Sequence, residues 1–302
     1  MASKPARIVS RVARLVVAAA AVAGALSAAA AKPTPADEEA VRRGAAAFEQ
    51  LEQADVEMLS RALDRLVADP ALLGPYLARD REKLFAAAKP IFDRLKAANQ
   101  ITHFYFLDPA PARTCFLRVH KPEQFGDVVG RDTLTAAIAT STIGYGKELG
   151  KTAFALRVVK PMTSGGKIVG YMELGEEIDH FFDRMKAQTG DDYALLVDKA
   201  HVDRKELARV RNDDRWDERP DVVLINSTMW NEKQIQVPVP LSKLPAAGAF
   251  VPEWQDEGRR YAGGAFPVKN AASHVVGALF VRHQVAGPRP DAAKTPAAAS
   301  SR

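Results

Sequence analysis

Two stretches of this chain resemble each other, and this internal repeat limits the folds that the chain can adopt. One is AFALRVVKPMTSGGKIVGYMEL at residues 153–174, and the other is YAGGAFPVKNAASHVVGALFV at residues 261–281. Each has a strand-like segment that ends near a proline, a polar hairpin and a second strand-like segment. The two prolines, Pro161 and Pro267, lie about 106 residues apart. A repeat of this kind predicts two similar modules in tandem.

Alternation of apolar and polar residues predicts an antiparallel sheet in each module. In the first module the strand-like segments are residues 102–108, 114–120, 152–160 and 167–174, with a further candidate at 145–149 and a helical crossover at 126–143. In the second module they are residues 193–197, 221–225, 235–239, 260–268 and 274–282. A helix at residues 175–189, which Gly190 ends, is predicted between the two sets.

A long amphipathic helix is predicted before the sheets. Apolar residues recur at helical spacing over residues 37–68, and Asp37 begins an acidic first turn. A second helical stretch follows at residues 77–99, where Lys89-Pro90 makes either a kink or a fresh start.

The N-terminus has the pattern of an export signal. Residues 1–14 are basic, and residues 15–31 are uncharged, nearly all apolar and end in small residues. This pattern predicts a secretory signal peptide, with an uncleaved membrane anchor as the alternative. The chain is then periplasmic, or tethered to the inner membrane. The tail at residues 286–302 is rich in Pro, Ala and Ser, which predicts disorder.

The charge of the chain does not indicate a nucleic-acid partner. The formal net charge is +5, but residues 1–31 hold four cationic residues and no acid, so the remainder carries +1. The basic clusters elsewhere are interleaved with acids, as on an ordinary solvated surface. Cys115 is the single cysteine, which excludes an internal disulfide, and we expect it to be buried and inert.

The order of elements resembles the double Cache family of extracytoplasmic sensory domains, found in bacterial chemoreceptors and sensor kinases. The stretches that carry this resemblance are HFYFLDPAPARTCFLRVHKPEQFGD at 103–127 and ELGKTAFALRVVKPMTSGGKIVGYMELGEEIDH at 148–180. The resemblance implies a mixed α/β (α+β) fold with two PAS-like modules after the long helix. The divisions would be a helical stalk at 37–100, a membrane-distal module at 101–178 and a second module at 179–285.

The family resemblance also implies a function. We expect an exported ligand-binding sensor for signal transduction or chemotaxis-type sensing. Family members usually continue into a second membrane span and a cytoplasmic signalling domain, so we expect a membrane-bound receptor or kinase as the partner of this chain. A homodimer through the long helix is a further candidate. The arginine–aromatic pattern of amino-acid-sensing relatives is not evident, which favours another small anion, such as a short carboxylate.

Charged residues inside apolar strands indicate where this anion would bind. Arg118 and Arg157 lie in two apolar strands, and a buried guanidinium requires an anionic partner. We therefore predict a ligand site formed by Tyr105, Arg118, His120, Arg157 and Tyr171, with Lys160 at the rim and Arg131 reaching in from the crossover helix. The alternative is an ion pair between Arg157 and Glu173, with Arg118 extending to water. A site elsewhere, including in the second module, is also considered.

Catalytic and metal-binding patterns are not found. Gly150-Lys151-Thr152 lacks the earlier glycine of a phosphate-binding loop, and a strand-like segment follows it. The histidines show no metal-ligand spacing, and His180 with Glu176 and Glu177 is interpreted as a solvated helical face. The chain is therefore predicted to be neither an enzyme nor a cofactor- or metal-binding protein. One alternative function is a ligand-free periplasmic interaction or dimerisation module, which an exposed apolar stripe on the first helix would favour. The other is a periplasmic enzyme that uses the same fold as its scaffold.

Overall fold

The structure, a computed structural model, describes residues 31–150, 154–211 and 215–286. The predicted export segment up to residue 30 and the predicted tail from residue 287 onward lie outside these described residues. Within the described ranges, no helix combines the length and the hydropathy that a membrane span requires.

Three helices form the N-terminal part of the fold: α1 (Pro35–Leu66), α2 (Pro70–Leu77) and α3 (Arg81–Asn99). α1 begins at a capping box in which the Thr34 hydroxyl accepts a hydrogen bond from the backbone N–H of Asp37. At 1.5 Å per residue α1 is about 48 Å long. α3 continues through Pro90, so the helix does not start afresh there.

Within the described residues, ten strands form two antiparallel sheets. The first sheet contains β1 (His103–Leu107), β2 (Cys115–Arg118), β3 (Gly144–Leu149), β4 (Phe154–Ser164) and β5 (Lys167–Glu177). The second contains β6 (Asp192–Asp198), β7 (Val222–Ser227), β8 (Ala249–Asp256), β9 (Arg259–Lys269) and β10 (Val275–Gln284).

The two sheets have the same topology. The strand order is β2-β1-β5-β4-β3 in the first sheet and β7-β6-β10-β9-β8 in the second. The repeated sequence stretches form the β4–β5 and β9–β10 hairpins, which occupy equivalent positions in this order. The fold class predicted from the repeat, two tandem PAS-like modules after a long helix, is therefore confirmed.

The remaining helices are α4 (Asp132–Thr140), α5 (Phe181–Thr189) and α6 (Arg204–Arg211), and a 3₁₀ turn at Ile178–His180 precedes α5. α5 ends at Gly190, as predicted, in the left-handed conformation. α4 covers one face of the first sheet. In the second module, apolar residues of the segment 229–244 cover the equivalent face instead.

α1 joins the two modules, because its apolar stripe packs on both sheets. Val41 and Phe48 share one continuous core with Tyr193 and Val281 of the second module, and Leu63 belongs to the same core. Gly44 permits this close approach, since a Cβ atom there would lie 2.7 Å from Val281 Cγ1. The exposed large apolar residues among those described all lie outside α1: Leu77, Phe125, Val128, Tyr145 and Trp230.

One predicted strand is wrong. Residues 235–239 form an irregular segment after a 3₁₀ turn, and Pro238 lacks the N–H that a β-ladder requires. The fifth strand of the second sheet is β8, which the sequence analysis did not predict. β8 also contains a proline, Pro252, but its register with β9 shifts between Val251 and Trp254, which is where a proline is tolerated.

Candidate functional site

The first sheet has two buried faces with different chemistry. The face toward α1 is apolar and includes Phe104, Phe106 and Leu174. The face toward α4 combines apolar residues with tyrosines, Tyr105 and Tyr171 among them. Two of the predicted site residues, Tyr105 and Tyr171, therefore lie on the α4 face.

A β-bulge in β2 brings Arg118 to the α4 face. Tyr105 pairs with Arg118 and Phe106 with Leu117, but Leu107 pairs with Cys115, so Phe116 is an extra residue. Strict alternation would place Cys115 and Arg118 on opposite faces, but the bulge places Cys115 on the face of Arg118, whereas Phe116 packs edge-on against Tyr76 of α2. Strict alternation holds only while the register is regular.

Three guanidinium groups surround the ring of Tyr105. The Cζ atoms of Arg131, Arg118 and Arg157 lie 4.5, 5.4 and 5.6 Å from the ring centroid. Cations at such distances are attracted by the electron-rich face of an aromatic ring. We call Tyr105, Arg118, Arg131 and Arg157 the arginine cluster.

Two of these arginines share one carboxylate. Glu173 is fully buried and accepts hydrogen bonds from Arg131, at 2.6 and 2.7 Å, and from Arg157. Burial alone would raise the pKa of Glu173, but the two guanidiniums outweigh it and hold the pKa below the usual value. Arg157 is 7% exposed, and its buried Nε has no hydrogen-bond partner among the described residues.

The third arginine is paired from a surface loop. Arg118 donates hydrogen bonds to the Asp127 carboxylate at 2.5 Å and to the Gln124 carbonyl oxygen at 2.7 Å. The Asp127 side chain is 53% exposed. The three guanidiniums thus form ion pairs with carboxylates of the protein. We had predicted a bound external anion as the partner of Arg118 and Arg157. The alternative ion pair between Arg157 and Glu173 is confirmed, although Arg118 does not extend to water.

Two histidines line the cluster in their neutral form. The His120 ring lies 4.8 Å from the Tyr105 ring and 4.9 Å from the His103 ring, centroid to centroid. Burial, reinforced by the positive charge of Arg157, lowers the pKa of His120 to about 4 and that of His103 well below its usual value. His120 Nδ1 accepts a hydrogen bond from the backbone N–H of Phe104 at 3.3 Å.

The structure brings together most, but not all, of the predicted site residues. Tyr105, Arg118, His120, Arg131 and Arg157 are neighbours. Tyr171 lies on the same face but pairs with Leu107, away from Arg118. Lys160 is not part of the group, because it forms an ion pair with Asp64 of α1 on the other side of the sheet.

Sequence reasoning missed two acids at this face. One is Asp127, which lies in the loop between β2 and α4. The other is Glu148, which accepts a hydrogen bond from the Thr133 N–H at the start of α4 at 2.7 Å. Burial raises the pKa of Glu148. No periodic pattern marks a loop acid such as Asp127. Glu148 lies on β3, but its contact with Thr133 depends on how α4 packs, which the strand pattern does not show.

The second module has a cavity of its own, of about 760 Å³. It lies between the β6–β7 edge and the segment 235–242. Its lining includes Leu196, Lys199, Arg219, Val222, Ile235 and Pro238. A small molecule fits this cavity by size.

The chain was compared with known families and structures. The family model dCache_3, described as the double sensory domain of two-component sensor kinase, matches residues 37–211, more than half of the chain. A comparison with curated proteins gives no significant match.

Solved structures of sensory domains are similar to this chain at low sequence identity. The periplasmic domain of Vibrio cholerae LuxQ is 10% identical, with a TM-score of 0.49, and the match covers 81% of this chain and 100% of that one. The ligand-binding domain of the Campylobacter jejuni chemoreceptor Tlp3, in complex with 4-methylisoleucine, is 11% identical, with a TM-score of 0.47 and coverages of 82% and 89%. On the evidence of the family match, this chain belongs to the double Cache family of sensory domains.

Proposed function

We propose that this chain senses a small organic anion of the carboxylate class, bound at the arginine cluster on the α4 face of the first sheet. The observation that carries the proposal is the convergence of three guanidiniums on Tyr105. Arg131 and Arg157 share the single buried carboxylate of Glu173, and Arg157 Nε has no partner among the described residues. Planar guanidiniums bind carboxylates in a bidentate manner, which favours this ligand class.

Asp127 is the acid that a ligand would replace. Its carboxylate reaches Arg118 from a half-exposed loop position, whereas Glu173 is fully buried and held by two arginines. An exposed ion pair contributes little to stability, so exchanging Asp127 for an external carboxylate costs little. Tyr105 would supply an aromatic wall, and neutral His120 an uncharged polar neighbour.

Binding would be transmitted through α1. α4 and α1 cover opposite faces of the first sheet, and α1 continues onto the second sheet. A ligand that draws Arg118 and Arg131 together would favour one position of the sheet against α1 over another. A membrane-bound receptor or kinase would be the next component, and we propose no catalytic activity for the chain itself.

The test is a thermal-shift screen of short mono- and dicarboxylates and amino acids on the purified protein. We expect at least one carboxylate to raise Tm in a concentration-dependent manner. Arg118→Ala should abolish this shift. Arg79→Ala is the matched control, because Arg79 also pairs with an aspartate, Asp108 at 2.5 Å, but lies at α2, away from the cluster. A shift that survives Arg118→Ala would place the ligand elsewhere, for example in the second module.

The second candidate function is a ligand-free interaction module. It is favoured by the carboxylate partners that all three guanidiniums already have. On this account no carboxylate raises Tm, and Arg118→Ala causes only a small loss of stability. A homodimer through α1 would be expected if the chain is such an interaction module. Sedimentation of the purified protein measures whether this dimer forms.

Export remains part of the proposal. Double Cache domains are extracytoplasmic, and we propose a periplasmic location, with the N-terminal segment either cleaved or kept as an inner-membrane tether. Mass spectrometry of the mature protein distinguishes these cases. A new N-terminus at Lys32 indicates cleavage, and an intact N-terminus in the membrane fraction indicates a tether.

A further inference from the structure

Three side chains with metal-binding atoms meet where α1 contacts the end of the first sheet. They are Asp55 of α1, Glu176 near the end of β5 and His180 of the following 3₁₀ turn. His180 Nε2 lies 3.4 Å from Glu176 Oε2 and 4.0 Å from Asp55 Oδ2. One ligand atom from each residue lies within 4.8 Å of the other two. The interpretation of His180 with Glu176 as a solvated helical face is therefore wrong: Glu176 lies on a strand and is fully buried.

Glu176 lacks the hydrogen bonds that a buried carboxylate requires. Neither of its oxygens has a hydrogen-bond partner among the described residues. Such a group is costly to bury unless a cation or a donor meets it. Its position beside Asp55 adds a second negative charge, which increases the need for a cation.

His180 is oriented as a metal ligand. Its Nδ1 lies 2.9 Å from the carbonyl oxygen of Glu177, and because a carbonyl only accepts, Nδ1 carries the proton. In neutral His180 the lone pair of Nε2 then lies on the side of the two carboxylates. Histidines that bind metals commonly donate the other ring N–H to a carbonyl or carboxylate in this way.

Arg184 is a further charged group at this position. It donates hydrogen bonds to Asp55 Oδ2 at 2.7 Å and to Oδ1 at 3.4 Å. It thereby fixes the orientation of the Asp55 carboxylate and offsets one of the two negative charges. Among the described residues no arginine or lysine makes a comparable contact with Glu176, whose charged neighbour is His180 at 3.4 Å, so one carboxylate remains for a further cation.

We propose that Asp55, Glu176 and His180 form a binding site for a divalent transition-metal cation of the Zn²⁺ class. One imidazole nitrogen and two carboxylate oxygens suit Zn²⁺, which leaves a fourth position for water or a ligand. Zn²⁺ bonds of about 2.0–2.1 Å in a tetrahedral site place ligand atoms about 3.3 Å apart. The separation of 3.4 Å between His180 and Glu176 already fits this spacing, whereas Asp55 must move closer to both residues when the cation binds. Ca²⁺ and Mg²⁺ prefer sites made only of oxygen ligands.

This site would fasten α1 to the segment that connects the two modules. Glu176 ends the first sheet, and His180 immediately precedes α5, which leads to the second sheet. A bound cation would therefore stabilise the junction, independently of any anion at the arginine cluster.

The test is metal binding by the untagged full-length protein after treatment with EDTA. We expect one equivalent of Zn²⁺ by isothermal titration calorimetry and elemental analysis, and a Tm increase with Zn²⁺ but not with Mg²⁺. Glu176→Gln, which conserves shape, should weaken Zn²⁺ binding at least tenfold, and His180→Gln should do the same. His283→Gln is the matched control, because His283 also contacts an aspartate, Asp191 at 2.8 Å, without a third ligand among the described residues.

Three results would overturn the proposal. These are no stoichiometric binding, binding that Glu176→Gln leaves unchanged, and equal losses in the His283→Gln control. The first would show that protonated His180 alone neutralises Glu176. Substitution with Co²⁺ gives a further readout, because the absorption bands of a tetrahedral Co²⁺ site should appear in the wild type and be absent from a folded Glu176→Gln variant.

Discussion

Arg157 on β4 donates a hydrogen bond to the fully buried carboxylate of Glu173 on the adjacent strand β5. Because Arg131 binds the same carboxylate, Glu173→Gln leaves two buried guanidiniums without a negative partner. We expect a loss of about 3–5 kcal/mol in the free energy of unfolding, as for other broken buried ion pairs. Urea denaturation measures this loss. Glu177→Gln, at an exposed position on the same strand, should change stability little, and equal effects of the two variants would contradict the structural importance of Glu173.

Two glycines in the repeated hairpins are required by a close approach of backbones. A Cβ atom at Gly170 would lie 2.7 Å from the Leu107 carbonyl oxygen, and one at Gly277 would lie 2.3 Å from the Leu196 carbonyl oxygen. The shared Val-Gly pair of the repeat thus has the same steric cause in both sheets.

Gly170→Ala and Gly277→Ala should each destabilise the protein by about 1–3 kcal/mol, because the added methyl group must displace a strand backbone. Thermal or urea unfolding checks this. Gly130→Ala is the control, since nothing lies within 4 Å of a Cβ atom there, and its stability should stay near that of the wild type. A Gly277→Ala variant as stable as the wild type would contradict this prediction, because it would show that the backbone at Leu196 moves aside without cost.

The repeat predicted the fold because the two similar hairpins, β4–β5 and β9–β10, occupy equivalent positions in two sheets of the same topology. Period-two segments found nine of the ten strands, and the helical period found most of α1. The prediction failed at residues 235–239 and at β8. The position of the prolines and a bulge in β8 decide which of these two apolar segments pairs with β9. Strand propensity alone does not contain this information.

The candidate site was predictable only in part. Arg118 and Arg157 came from the rule that a cation in an apolar strand needs a partner, and Tyr105 was added because it lies in another strand of the same predicted sheet. The same rule did not identify the acids that pair with these arginines, because Asp127 lies in a loop and the bulge at Phe116 reverses the alternation in β2. The pair of Glu176 and His180 was noticed but interpreted as part of a helix, whereas Glu176 lies on β5. The third member, Asp55, comes from α1, and no local spacing connects it to the other two.

Cys115 should react slowly with thiol reagents in the folded protein. It is buried against the α4 face, and burial raises the pKa of its thiol to about 11. Since the thiolate is the reactive form, we expect modification by a disulfide reagent at pH 8 to be slower in the native protein than in urea by two orders of magnitude or more. The control is the same reaction on a small free thiol, whose rate should not depend on urea. Rapid modification of the native protein would indicate that α4 opens readily.

His120 should make the protein less stable in mild acid. Burial lowers its pKa to about 4 in the folded state, against an ordinary value of 6.5, so the unfolded chain binds more protons between these two values. With respect to His120 the folded state is therefore most stable above pH 6.5, and it loses about 3 kcal/mol of stability as the pH falls through 4. Urea unfolding at pH 7 and pH 4.5 measures this difference. His120→Gln should reduce the difference, because the variant side chain does not titrate, whereas His274→Gln at an exposed position should leave it unchanged. Equal pH dependence in the wild type and His120→Gln would mean that His103, whose pKa burial lowers even further, accounts for the acid sensitivity of the cluster.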